Sequence, residues 1–233
     1  MQDRYAGDVG DYVKLALLRS LSEGRKLGVA WYLYPDEGHN EDGKHISYLK
    51  EPSKWRHLDP DLFDALKLIA NETRSVNAIE ESGVLQAEFS SERMVSPMNY
   101  RLRSDWRRDW HEGTLDDLNS CDLVFADPDN GMIDDDPKRR TKEKFSKQIP
   151  LNEVLKLAEN RTAVIYHHNT RFKGGHELEV KHWLGLLGNA IAVRANSYNC
   201  RTFFVVNPDD KLRSTCEDFC DRWSKHKVFL QSH

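Results

Sequence analysis

Three apolar runs, each stopped abruptly by a cluster of polar turn formers, constrain the fold of this chain most. Gly28–Tyr34 (GVAWYLY) halts at Pro35-Asp36-Glu37-Gly38, Cys121–Ala126 (CDLVFA) at Asp127-Pro128-Asp129-Asn130-Gly131, and Ala163–Tyr166 (AVIY) at His167-His168-Asn169. Short, near-continuous apolar runs read as strands buried on both faces. Helical spacing lies between and around them. Asp11–Leu21 places Val13, Leu17, Leu18 and Leu21 on one face, and Leu62–Ile69, Trp106–Leu118, Pro150–Ala158, Leu178–Leu187 and Thr215–Trp223 read as further helices. Short strands are expected near Val76–Ile79 and Val84–Phe89. Ala190–Val193 and Thr202–Val206 form a closing pair joined by the polar turn Asn196–Asn199. The alternation predicts an α/β protein with a doubly wound, mostly parallel, Rossmann-like sheet and an antiparallel C-terminal strand. With no internal repeat, the 233 residues are expected to form one domain, 1–233, with a polar excursion over the surface around residues 37–60.

Charge limits the partners. Lys and Arg total 34 against 38 Asp and Glu, so a net charge of −4 gives no general attraction for duplex nucleic acid, and any such contact needs a local basic patch. Two patches are candidates. Residues 138–147 hold Lys138, Arg139, Arg140, Lys142, Lys144 and Lys147 against Glu143, and residues 101–108 interleave Arg101, Arg103, Arg107 and Arg108 with Trp106. Solvated surface runs are the alternative reading of both. No apolar stretch is long enough to span a bilayer, and the opening Met1-Gln2-Asp3-Arg4 is no secretory signal, so a cytoplasmic protein is expected. The 4 cysteines contain no Cys-x-x-Cys pair, and Cys216 and Cys220 have the spacing of a helix core.

In doubly wound sheets ligands bind beyond the carboxyl ends of the strands, which is where the three polar clusters fall. A carboxylate directly after a buried strand, as at Asp127, is rigidly held and partly desolvated, as an acid, base or ligand must be. Pro128 fixes the backbone there and Gly131 allows close approach. An ordinary strand-to-loop turn is the alternative. Asp127-x-Asp129 also admits a divalent ion, magnesium or manganese, although Gly131 sits one position too early for a calcium loop. His167 and His168 follow a strand, so they face opposite sides and at most one faces the site. Arg171 and Lys173 nearby suit an anionic group.

Several segments together resemble the RlmJ-type large-subunit rRNA adenine methyltransferases, which use S-adenosylmethionine. Ala6-Gly7-Asp8-Val9-Gly10-Asp11-Tyr12-Val13-Lys14 is similar to that family's Ala-Gly-Asn-His-Ala-Asp-Val-Leu-Lys opening, and Trp31–Gly38 to its first strand and following turn. Asp127-Pro128 falls at its Asp-Pro-Pro-Tyr, Tyr166 and Arg171 at its Tyr-Pro…Asp-Arg segment, and Phe204-Val205-Val206-Asn207-Pro208 at its late Asn-Pro strand end. Residues 72–120 do not align. The resemblance implies a methyltransferase fold in which Lys14, Asp36 and Gly38 serve the cofactor. Asp127 would face the methyl acceptor, a nitrogen or oxygen of a nucleic acid or other phosphate-bearing substrate. Asp129 and Asn130 would shape the acceptor pocket, and Tyr5, His167, His168 and Arg171 would touch the substrate. Asp129 and Asn130 stand where the family has Pro and Tyr, so the motif keeps no aromatic to stack on a flipped base. Two other functions remain open on this scaffold: a metal-dependent nuclease using Asp127, Asp129 and a strand-end histidine, and a binding protein without catalysis.

Overall fold

The computed structural model describes residues 1–37 and 45–232. Its centre is a seven-stranded sheet in the order β2-β1-β3-β6-β8-β7-β9. The strands are β1 (Leu27–Ala30), β2 (Ala87–Ser90), β3 (Leu123–Ala126), β6 (Thr162–His168), β7 (Ala190–Ala195), β8 (Arg201–Val206) and β9 (Val228–Gln231). A two-stranded ribbon, β4 (Met132–Ile133) with β5 (Ile149–Pro150), stands apart. β1 pairs in parallel with β2 and β3, and β3 with β6. β8 runs antiparallel to both β6 and β7, wedged between them. β8 is the antiparallel strand the sequence announces; β9, antiparallel to β7, is a second.

Each central strand distributes its side chains between two cores. Val29, Phe125, Val164 and Val205 join one, packed under α1 (Val9–Leu21), α3 (Pro60–Asn71), α4 (Val76–Glu81) and α8 (Asp210–Trp223). Ala30, Ala126, Ile165 and Phe204 join the other, under α5 (Arg103–Asp117), α6 (Leu151–Leu157) and α7 (His176–Leu187). With helices on both faces, both strand parities must be apolar, which explains the continuous runs. Cys216 and Cys220 sit inside the first core with their thiols pushed up to about 12 by burial, as the helical spacing implies.

Three expectations are corrected. Residues 76–81 form α4 rather than a strand: Ser75 caps it by accepting from Ala78 N–H, and Val76 and Ile79 face the core at helical spacing. The first apolar run leaves the sheet after Ala30, and Trp31, Tyr32 and Leu33 are buried in loop contacts, with Trp31 N–H donating to Ser90 O. The excursion at 37–60 is no mere surface loop in its described part. After the short helix α2 (Pro52–Trp55) is counted in, it delivers Tyr48, Trp55 and Leu58 to the core, and Tyr48 stacks on Tyr12 at 5.4 Å. Its apolar residues are few, but each is spent inside.

Among the described residues no helix is long and apolar enough to cross a membrane.

Candidate functional site

Strand order reverses between β1 and β3, since the chain passes from β1 outward to β2 and returns on β1's other side. A crevice opens there at the carboxyl ends, the position expected of a ligand site in such a sheet. A cavity of about 220 Å³ occupies it. One wall is the first turns of α1, with Asp8, Asp11 and Lys14; the floor is Asp127, Asp129 and Asn130 after β3. The far wall is Tyr166 and His168 on β6, with Arg201 opening β8, and Met1 and Tyr5 close the near side.

α1 begins here for a local reason. Asp8 is its N-cap, accepting from Asp11 N–H at 3.0 Å, and its first turn carries the acid that suits a helix N-terminus. One turn on, the Lys14 ammonium reaches Asp11 Oδ1 at 2.6 Å and Asp127 Oδ2 at 2.8 Å, and lies over the Trp31 ring. Burial works against the charge on Lys14, but the two carboxylates outweigh it and hold the ammonium above its ordinary range. Burial raises the Asp11 carboxyl to about 6 against the pull of Lys14. The Met1 amine donates to Tyr32 O and Asp127 O, each at 2.9 Å, and burial lowers its pKa.

A raised carboxyl carries a pH signature. The folded state holds the Asp11 proton more tightly than the unfolded chain, so this contribution to stability is full below about pH 4 and is lost as pH rises through about 6. Asp11→Asn leaves Lys14 balanced one-to-one by Asp127 and removes the titration. Thermal melts between pH 4 and 7.5 should show the variant gaining on wild type as pH rises; parallel profiles would overturn the assignment.

Asp129 belongs to a separate network. Burial raises its carboxyl, but the Met1 amine, Lys147 and Gln2 outweigh that and hold it low; Gln2 Nε2 donates at 2.8 Å and Lys147 lies at 3.1 Å. Lys147 also binds Glu37 at 2.5 Å and sits over the Tyr34 ring. Lys147, expected in the exposed basic run, is thus buried behind Asp129. Arg107, expected on the other basic face, is likewise turned inward onto Glu153 at 2.8 Å. Neither patch keeps its full complement of free cations. Asp127 and Asp129 each go to a different lysine, and among the described residues no group of three or more His, Cys, Asp or Glu is placed to hold a metal ion.

The structure separates the two histidines as strand alternation requires. His168 lies on the cavity side. His167 is fully buried on the opposite side: its Nδ1 accepts from Met132 N–H at 2.9 Å, which places the proton on Nε2 for donation to Glu179 at 3.1 Å. His167 therefore joins the sheet to the ribbon and α7, and does not touch the cavity. Gly131 serves the same joint. At φ +77°, an added Cβ would stand 2.5 Å from His167 Nδ1, so its close approach is to this histidine rather than to a ligand. Burial raises the Glu179 carboxyl, but hydrogen bonds from His167 and from the Thr170 hydroxyl and N–H win, holding it at about 2. That stability is present above the unfolded value near 4.5 and is lost as pH falls towards about 2. Glu179→Gln should cost about 3 kcal/mol at pH 7 in urea unfolding, with the gap closing in acid; a gap that persists at pH 2 would contradict the linkage.

The remaining expected residues divide. Tyr5, Lys14, Asp127, Asp129, Asn130 and His168 meet at the cavity. Arg171 is exposed and does not line it, and Asp36 is exposed, accepting instead from Arg4 N–H at 3.2 Å. Gly38 lies outside the described residues. Asp8, Asp11, Asn199 and Arg201 also line the cavity and were not singled out. An Asp three residues before a Lys was the available signal for Asp11; Arg201 had only its place beside a buried run.

In comparison with known proteins, no family model matches the chain, and no curated protein matches it in sequence.

Proposed function

We propose that the chain is an S-adenosylmethionine-dependent methyltransferase acting on a nitrogen or oxygen of a phosphate-bearing acceptor. The observation that carries this reading is Asp127, set at the carboxyl end of β3, on the switch-point crevice, and held there by a buried lysine. The chemistry of the wall supports the cofactor reading: the carboxylates of Asp8, Asp11, Asp127 and Asp129 line it beside Lys14, Arg201 and the Met1 amine, and carboxylates at the wall suit a cationic sulfonium. The cofactor supplies a methyl group already activated for displacement. Asp8 and Tyr5, which line the cavity, would hold it, and Asp127 would accept a hydrogen bond from the acceptor and draw on its proton. Lys14 is a positioning residue, since both carboxylates occupy its ammonium. At about 220 Å³ the cavity is below the roughly 300–1,000 Å³ of most ligand pockets, so the whole cofactor would need it to open further.

Calorimetric titration of S-adenosylmethionine into chelator-treated protein tests the reading. Binding with a dissociation constant on the order of micromolar, about −8 kcal/mol, is expected without added metal. No heat and no protection from thermal unfolding would overturn it.

A further inference from the structure

Buried Lys14 and Lys147 meet carboxylates, and Arg107 meets Glu153. Arg194 donates through Nη1 to Gln231, with its Nε left unpartnered. Arg201 differs from Arg194 in that its unpartnered nitrogen belongs to a side chain lining the cavity. It is 4% exposed and lines the cavity, yet its Nη1 is buried with no hydrogen-bond partner. A buried guanidinium left like this is costly unless something completes it.

Its setting is built to hold it in place. Arg201 opens β8 and pairs in register with His168 at the end of β6, and both side chains line the cavity beside Tyr166. The guanidinium packs against the first turn of α1, where a Cβ on Gly10 would lie 2.9 Å from its central carbon and 3.1 Å from Nη2. A glycine in a helix costs backbone entropy, and here it provides the space in which the fork lies flat. That same Cβ would lie 2.9 Å from Asp8 Oδ1, so the fork and an acid flank one space at the helix start.

We propose that Arg201 receives an oxyanionic group of the methyl acceptor, a phosphodiester or a carboxylate whose coplanar oxygens accept from the guanidinium. The proposal rests on the reading of this crevice as a transferase site. The carboxylates that share the cavity wall favour a singly charged anion over a dianion, because Asp8, Asp11, Asp127 and Asp129 repel additional charge. Arg201 comes from the strand wall of β6 and β8, and its guanidinium reaches the first turn of α1, so an anion held there shares the cavity with Asp127. Its role is to fix the acceptor's position, separate from the chemistry at Asp127.

The test needs no cofactor. Dimethyl phosphate and acetate, titrated separately with thermal protection and calorimetry as readouts, stand for the two sources of the anion. At least one is expected to bind saturably to the wild-type protein, and the one that does identifies the class. Arg201→Gln should weaken that binding by about 10–100-fold, the loss expected for charge-assisted hydrogen bonds. Gly10→Ala, whose Cβ presses on both the fork and the Asp8 cap, should weaken it by about 3–10-fold, with a thermal melt of the variant confirming that it folds. Arg139→Gln, on the surface basic run, should leave it unchanged. Saturable binding that survives Arg201→Gln, or the absence of binding by both anions, would overturn the proposal. Cofactor binding with no anion binding would sink this inference alone; anion binding with no cofactor binding would sink the methyltransferase reading and leave Arg201 as an anion site without a methyl acceptor.

Discussion

Asp127→Asn is expected to lower methyl transfer by about 10²–10⁴-fold, the range for removing a positioned proton acceptor, while S-adenosylmethionine affinity stays within a few-fold. The amide keeps the shape of the side chain but cannot take a proton from the acceptor. The fold should tolerate the change, because Lys14 retains Asp11 at 2.6 Å and the buried cluster goes from two acids against one base to one against one. Single-turnover rates at saturating cofactor, alongside a cofactor titration, separate the two effects. A variant that turns over at near wild-type rate would remove Asp127 from the chemistry.

Lys14→Met should act on the fold itself. It leaves Asp11 and Asp127, 2% and 3% exposed, without the cation between them. Removing one partner of a buried ion pair costs about 3–5 kcal/mol, which for a chain of this size lowers the melting temperature by about 6–20 °C. The loss comes from stranded carboxylates, so it should be partly repaired by adding Asp11→Asn, and the two changes should be strongly non-additive. A single variant that melts within about 2 °C of wild type would show that the cluster relaxes or protonates without cost.

The architecture was legible where hydrophobic pattern alone decides it. β3 and β6 were visible because strands covered on both faces need apolar residues at every position, and Leu123–Ala126 and Ala163–Tyr166 have them. The pattern failed where length and composition mislead: Val76–Ile79 carries β-branched residues on a short capped helix, and Tyr48 and Trp55 reach the core from a polar stretch. β9 gave no alternation to read, with Phe229 exposed beside a buried Val228. The site was half visible. Asp127 and its neighbours were found because strand ends are where ligands bind, whereas pairing partners come from distant segments, and Lys147 on Asp129 leaves no local trace. Arg171 looked suited to an anion by proximity in sequence, but the arginine at the cavity is Arg201, delivered by a strand pairing that periodicity does not specify.

The placing of β8 between β6 and β7 also orders assembly. β6 and β7 are made first, but neither bonds to the other; each waits for a strand that comes after both. Until residues 201–206 are synthesised, β6 has an open edge and β7 has none of its final neighbours, since β9 is later still. A growing chain can therefore gather β1, β2, β3 and β6 while the C-terminal third remains unpaired, and long-range strand pairing of this kind is the slow part of folding. The cavity wall that carries His168 and Arg201 is completed in that last step, so a ribosome-bound chain that stops short of β8 has the Asp127 loop but no closed site.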